Sequence, residues 1–438
     1  MDGCSRLEGF DVLVKKFSDL GRSLFKGGFF DIVGAGTLNK AIATIMSIVL
    51  VRVLSKYDYG VYSYAFNIAS FFIIFNGLGA TTAALQLCCE AFNDKDRECR
   101  LYAYAYRVSL AVGFLYLLLV LAIALLVPLS IPSSGPILVL YCAYPLLQQL
   151  FDIKTILLRV RLQNRDYAIA MNLQTILTCI FSIVGALTFA APGLAVGQSL
   201  ALLVAYAWLC RLFPFERDYL WSSSLRHDDM TQFWRIALIS AFNSGVSQAF
   251  TLLGTMFIGM FIADELVVSS YRVATTIPFA LLFFPNAIVT YIYPHFVRHK
   301  DERVWTLRNY ALMTLGGGIL MAVITVFFIV FAGPIVSLIF GEQYLDAVPA
   351  MQIVMIGFFI TATFRTPAGN LLVTQRKLVS NSVIGVIMIV MCVIASYVLI
   401  PRFGMVGAAA VYDLCMTIGA VLSCVIYLKT VTSLPDKG

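Results

Sequence analysis

All but six of the 31 lysines and arginines fall on alternate connections between long apolar stretches; the six are Lys40, Arg52, Lys56, Arg272, Arg365 and Arg402. At 1.5 Å per residue, Lys40 stands about 15 Å into its stretch from Phe30 and Arg272 about 9 Å from the start of its own. Arg365, two residues before Pro367, lies roughly 12 Å from the end of its stretch. A charge at such depth in a membrane costs several kcal/mol and marks a pathway, a ligand or a pair. A cavity lined this way attracts an anion, and the forked donors of arginine suit phosphate oxygens. Lys40, Arg52, Arg272 and Arg365 are therefore the candidate ligands of an anionic head group. For Arg52 and Lys56 an interfacial anchor is an equal reading. The structural alternative pairs Lys40, Arg272 and Arg365 with Asp413 or with backbone carbonyls, which would only fix helix packing.

Acidic residues at comparable depth are few. Asp413 is central in the last stretch, while Glu90 and Asp152 lie near ends. Asp413 either binds a proton or a sodium ion and couples a cycle to a gradient, or neutralises one of the arginines. Asn39, Asn67, Asn243 and Asn370 are polar candidates for a wet interior, with hydrogen bonding between helices as the other use of such residues. Catalytic and metal chemistry find little support. Three histidines are present, and His295 and His299, although spaced like two ligands on one helical face, lie in a basic connection without further ligands. The ten cysteines include no C-x-x-C pair and read as small apolar filler. Neither a catalytic residue nor a bound metal or cofactor is expected, and the chain is not read as an enzyme.

The elements that must position these residues are membrane spans. Of 438 residues 60% are apolar and 13% charged, and the mean hydropathy is +0.87; an ordinary soluble domain is about a quarter charged. Apolar runs predict twelve spanning helices, at 30–54, 60–90, 101–128, 136–157, 167–190, 193–213, 233–262, 266–293, 308–332, 347–373, 378–400 and 404–428. Lysine and arginine collect on the cytoplasmic side of membrane proteins, which places both termini in the cytoplasm. Neither side has a loop long enough for a folded domain, so the net charge of +7 reflects this bias and not a nucleic-acid partner. The expected division is a cytoplasmic amphipathic segment (1–29), an N-terminal lobe of six spans (30–213), a cytoplasmic linker (214–232), a C-terminal lobe of six spans (233–428) and a cytoplasmic tail (429–438).

Weak echoes relate the two lobes. Asn39-Lys40 corresponds to Asn243-Ser244, Ser63-Tyr64-Ala65 to Ser270-Tyr271-Arg272, and Val196-Gly197 after Pro192 to Val406-Gly407 after Pro401. A duplicated unit with an even number of spans leaves both copies in the same orientation, a recurring transporter architecture. The G-x-x-x-G at Gly193 and Gly197 reads as close helix packing, and Pro278, Pro285 and Pro367 supply places to bend.

Two segments carry a resemblance. Arg52-Val53-Leu54-Ser55-Lys56-Tyr57-Asp58-Tyr59-Gly60-Val61-Tyr62 resembles the R-x-L-x-x-x-[DE]-[YF]-G-x-[YF] stretch of Wzx-like polysaccharide and O-antigen flippases in the multidrug/oligosaccharidyl-lipid/polysaccharide (MOP) exporter superfamily, which also holds the MATE transporters. Phe340 to Pro349 is similar to the F-G-x-x-Y-x-x-A-x-P segment of that family. The resemblance implies an all-α polytopic membrane protein with twelve transmembrane helices in two six-helix lobes around a central cavity. It implies transport by alternating access of a polyprenyl-pyrophosphate-linked oligosaccharide (O-antigen, capsule or exopolysaccharide) from the inner to the outer leaflet of the cell inner membrane. Arg52 and Arg272 match its cationic cavity positions; Lys40, Arg365 and Asp413 rest on depth alone. Membrane lipids, a coupling proton or sodium ion, and polysaccharide polymerase and chain-length machinery are the implied partners. Stopping at twelve spans, where the peptidoglycan-precursor branch has fourteen, points away from a lipid II flippase. The alternatives are a MATE-like drug/cation antiporter, whose cargo would want several buried carboxylates, and a membrane enzyme of polysaccharide assembly, which would show a large external loop or a catalytic histidine motif.

Overall fold

The structure, a computed structural model, describes residues 29–75, 77–91, 93–214, 225–375 and 377–434. The amphipathic segment expected over 1–29, all but its last residue, lies outside these, as do most of the linker and the last four residues of the tail. In chain order the helices are α1 (Phe29–Val53), α2 (Lys56–Ile73), α3 (Ala80–Glu90), α4 (Lys95–Leu126), α5 (Ser134–Tyr141), α6 (Tyr144–Val160) and α7 (Asn164–Leu212). After the linker come α8 (His227–Ile262), α9 (Glu265–Leu281), α10 (Phe283–Arg298), α11 (Arg303–Val330) and α12 (Ala332–Ile339). A 3-10 turn (Glu342–Ala347), α13 (Val348–Ile360), a π turn (Thr361–Arg365), α14 (Thr366–Thr374) and α15 (Leu378–Thr432) complete the order. No strand occurs among the described residues. Each half, α1 to α7 and α8 to α15, opens on a long helix and closes on one of about 50 residues.

Seven helical stretches are long and apolar enough to cross a membrane, or eight counting α8, which bends by 58° between His227–Phe250 and Leu252–Ile262. Two of the seven, α7 and α15, are hairpins. In α7 the chain reverses at Phe189 and Ala190, the latter in left-handed backbone at φ 49°. In α15 it reverses at Gly404, at φ 60°. The arms pack backbone to backbone: a Cβ on Gly193 would collide with the carbonyl of Gly185, one on Gly197 with that of Phe181, and one on Gly407 with that of Leu399. The glycine spacing therefore works as a packing seam. The stretch 60–90, expected as a single span, is instead two helices, because Gly77, Leu78 and Gly79 all take positive φ and break the ladder between α2 and α3.

The outer surface has the pattern of a lipid-facing one. Along α11 the stripe Leu312, Leu315, Ile319, Val323, Val326 and Val330 is exposed, whereas Tyr310, Gly318, Met321 and Thr325 are turned inward. Such a stripe is untenable in water and ordinary in hydrocarbon. This is a multi-pass membrane protein.

Candidate functional site

The C-terminal half encloses a cavity of about 660 Å³, whose lining runs in sequence from Asn243 to Met416. Three of the predicted site residues meet there: Asn243 from α8, Arg365 from the π turn and Asn370 from α14. Local sequence explains the position of Arg365. Pro367 has no N–H to give to the carbonyl four residues before it, and the helix widens into the π turn immediately upstream. That turn aims the arginine across two glycines, Gly369 and Gly419. A Cβ at Gly369 would collide with its Nη1, and one at Gly419 would stand 3.2 Å from its Nε. Ion pairs among the described residues join Lys56 with Asp346, Arg97 with Asp229, Arg161 with Glu98 and Arg226 with Asp229. None of them involves Arg365, Arg272 or Lys40, so the alternative that these three are neutralised by Asp413 is not the arrangement seen.

Three other lining groups are held by a neighbour or by the backbone. Ser382 Oγ donates to Asn243 Oδ1 at 2.7 Å, Asn370 Nδ2 to the carbonyl of Thr366 at 2.9 Å, and Asn286 Nδ2 to that of Leu282 at 2.7 Å. Asn381 Oδ1 is buried with no donor. Tyr412 closes one wall against Phe279, ring centroids 5.4 Å apart. Sequence reasoning missed Asn381, Ser382 and Tyr412. The first two lie within about two turns of a helix start, where polar residues usually face the membrane surface, and Tyr412 was overshadowed by its neighbour Asp413.

The other predicted residues are near the cavity or elsewhere. Lys40 is exposed on α1, its ammonium 5.9 Å from the ring centroid of Phe283, which follows the lining residue Leu282. Asn39 beside it is half-buried, with Oδ1 lacking a partner. Arg272 is half-buried on α9, seven residues before the lining residue Phe279. Asp413 follows Tyr412; its Oδ1 is buried against Gly357, where any side chain would collide with it. Asn67 is buried outside the cavity lining and ties the two halves together, Nδ2 donating to the carbonyl of Leu252 at 3.1 Å.

Arg52 belongs to a different cluster, at the end of the molecule where α2 and α9 begin. Its guanidinium donates to the carbonyls of Leu338 and Ile339, which end α12; cations suit a helix C-terminus. Lys56 donates to the Gln343 carbonyl and to both carboxylate oxygens of Asp346, each at 2.8 Å, and lies 5.3 Å from the ring centroid of Tyr344. Asp346 also accepts from Ser270 Oγ at 2.7 Å, Ser269 Oγ donates to Tyr344 Oη at 3.2 Å, and Ser133 Oγ donates to Glu265 at 2.9 Å. Gly60 allows the contact, because a Cβ there would collide with the Glu265 carbonyl. The two motifs singled out in sequence are thus each other's partners, almost 290 residues apart, and they seal the two halves together at this end.

The helical bundle, with its two tight hairpins and a cavity in its C-terminal half, has a MATE-like fold. Solved structures agree. An inward-facing MATE multidrug transporter aligns with a TM-score of 0.74 at 13% identity, over 91% of this chain and 96% of that one. The lipid II flippase MurJ in an inward closed conformation gives 0.74 at 12%, over 93% and 88%. An outward-facing MATE transporter gives 0.62 at 14%, over 94% and 97%. No curated protein matches the chain in sequence. A family model described as "Polysaccharide biosynthesis protein" matches residues 49–349, well over half of the chain, and the chain belongs to that family.

Proposed function

We propose that the chain is a flippase that moves a polyprenyl-pyrophosphate-linked oligosaccharide from the inner to the outer leaflet of the cell membrane by alternating access. The observation that carries this reading is Arg365, a guanidinium with no acidic partner among the described residues, set in a cavity of mixed apolar and polar lining large enough for a head group. An unpaired cation held at that depth is stabilised by an anion, and a pyrophosphate supplies oxygens for its forked donors. Lys40, whose ammonium lies 5.9 Å from the ring centroid of Phe283, adds a second cation for the same anion as the lobes close; Asn243 and Asn370 offer hydrogen bonds to the first sugars. In this reading the basic ends of the helices, with both termini, face the cytoplasm, and the closed junction of Arg52, Lys56 and Asp346 faces outward.

Transport then requires that junction to part while the cytoplasmic side closes, and cargo drives the exchange only through different affinity for the two states. Asp413, with a buried carboxylate oxygen beside Gly357, is the coupling group for a proton or sodium ion. The lobes pivoting on each other are 30–213 and 233–428. The MATE-like fold favours one other reading, a drug/cation antiporter, but a cationic cargo would be repelled by Arg365 and would want carboxylates that the cavity lining lacks. Deleting the gene tests the choice. Lipid-linked oligosaccharide accumulating on the cytoplasmic face with unchanged drug sensitivity supports the flippase, and undisturbed clearance of that oligosaccharide rejects it.

A further inference from the structure

Transport as described leaves one buried cation unused. Lys154, on α6, is 6% exposed and sits six residues from the basic end of that helix at Val160. Among the described residues its ammonium enters no ion pair. It lines a pocket of about 210 Å³ together with Arg161, Gln163, Leu212, Phe213 and Pro214. The turn between α6 and α7 is shaped to bring these groups round: Leu162 adopts φ 56°, its N–H donates to the Arg159 carbonyl at 3.1 Å, and the Gln163 N–H reaches back to Leu158 at 2.8 Å. This closure of a helix end points the chain back over its last turn. Arg161 is paired with the buried Glu98 at 3.5 Å, so the pocket holds two cations against one carboxylate.

A buried lysine without a partner is strongly unfavourable, and replacing it with an apolar side chain of similar size is ordinarily neutral or stabilising. Its place less than two turns from the basic end of its helix is informative. Basic pockets between spanning helices on the cytoplasmic side are where anionic lipid head groups bind. The walls suit such a ligand, with Leu157 and Leu158 buried behind the charge and Leu212 53% exposed at the rim. The volume is below the roughly 300–1,000 Å³ of sites that enclose a whole small molecule, and so fits a head group better than a complete solute.

We propose that this pocket is a phosphate site at the membrane surface, separate from the transport cavity and formed to take the phosphodiester of an anionic phospholipid on Lys154 and Arg161. The inference stands whatever the cargo is. Thermal unfolding of the purified full chain in phosphatidylcholine micelles, with and without phosphatidylglycerol, and separately with inorganic phosphate, tests it. Phosphatidylglycerol is expected to raise the Tm of the wild-type chain, and Lys154→Met to abolish the rise and weaken the apparent affinity about fivefold or more, whereas Lys154→Arg retains it. In phosphatidylcholine alone Lys154→Met should be no less stable than wild type. Protection by inorganic phosphate that disappears in Lys154→Met would also support the site and assign it to a free phosphate. The proposal is overturned if neither compound protects the wild-type chain, or if Lys154→Met responds to both as wild type does.

Discussion

The junction of Arg52, Lys56 and Asp346 and the C-terminal cavity both hold cations, yet they differ in what surrounds each charge. At the junction every cation is engaged: Arg52 with helix-end carbonyls, Lys56 with Asp346, and Asp346 in turn with Ser270. In the cavity Arg365 lies over glycines, while Asn243 bonds to Ser382 and Asn370 to backbone. An engaged charge holds two surfaces together, whereas an unengaged one retains its capacity for a ligand. Depth along a helix identifies costly charges but does not separate these two uses; the partner does.

The largest effect is expected from fixing the junction shut. Lys56→Cys with Asp346→Cys, bridged by a short thiol-reactive linker, should abolish export and leave cargo binding intact; export that survives the bridge would contradict a moving junction. Next comes Arg365→Ala. A hydrogen bond to a charged group is worth about 1.5–3 kcal/mol, so cargo affinity should fall roughly 10- to 150-fold, with Arg365→Lys intermediate, as measured by equilibrium binding. Gly60→Val acts on the seal from the other direction. Its side chain meets the Glu265 backbone, and overpacking of about 1–3 kcal/mol should shift the chain toward the open junction, read as faster labelling of a cysteine placed at Ser269. The smallest effect belongs to Lys56→Met. With the Asp346 side chain 49% exposed, a pair of this kind contributes about 0.2–1 kcal/mol, and labelling at the same probe should change less than about fivefold.

Much of the bundle was legible in the sequence because spans follow from apolar length. Arg365 was legible too, since an arginine inside an apolar run two residues before a proline has few ordinary explanations. What could not be read was pairing between the halves. Nothing local to Arg52 or Lys56 indicates that their partners are Leu338, Ile339 and Asp346, so the sequence leaves the ligand and anchor readings side by side. The break of 60–90 at Gly77 to Gly79 was also hidden, because apolar residues flank it on both sides. Asn381 and Ser382 became visible as cavity residues only when the first arm of α15 was set against α8.

The central claim, that Arg365 receives an anionic head group while the junction of Arg52, Lys56 and Asp346 is only a seal, is tested most directly by measuring binding of a polyprenyl pyrophosphate to the purified chain and its variants. Affinity should fall roughly 10- to 150-fold in Arg365→Ala, by less in Arg365→Lys, and be unchanged in Lys56→Met. Wild-type affinity in Arg365→Ala, or loss of binding in Lys56→Met, would contradict it.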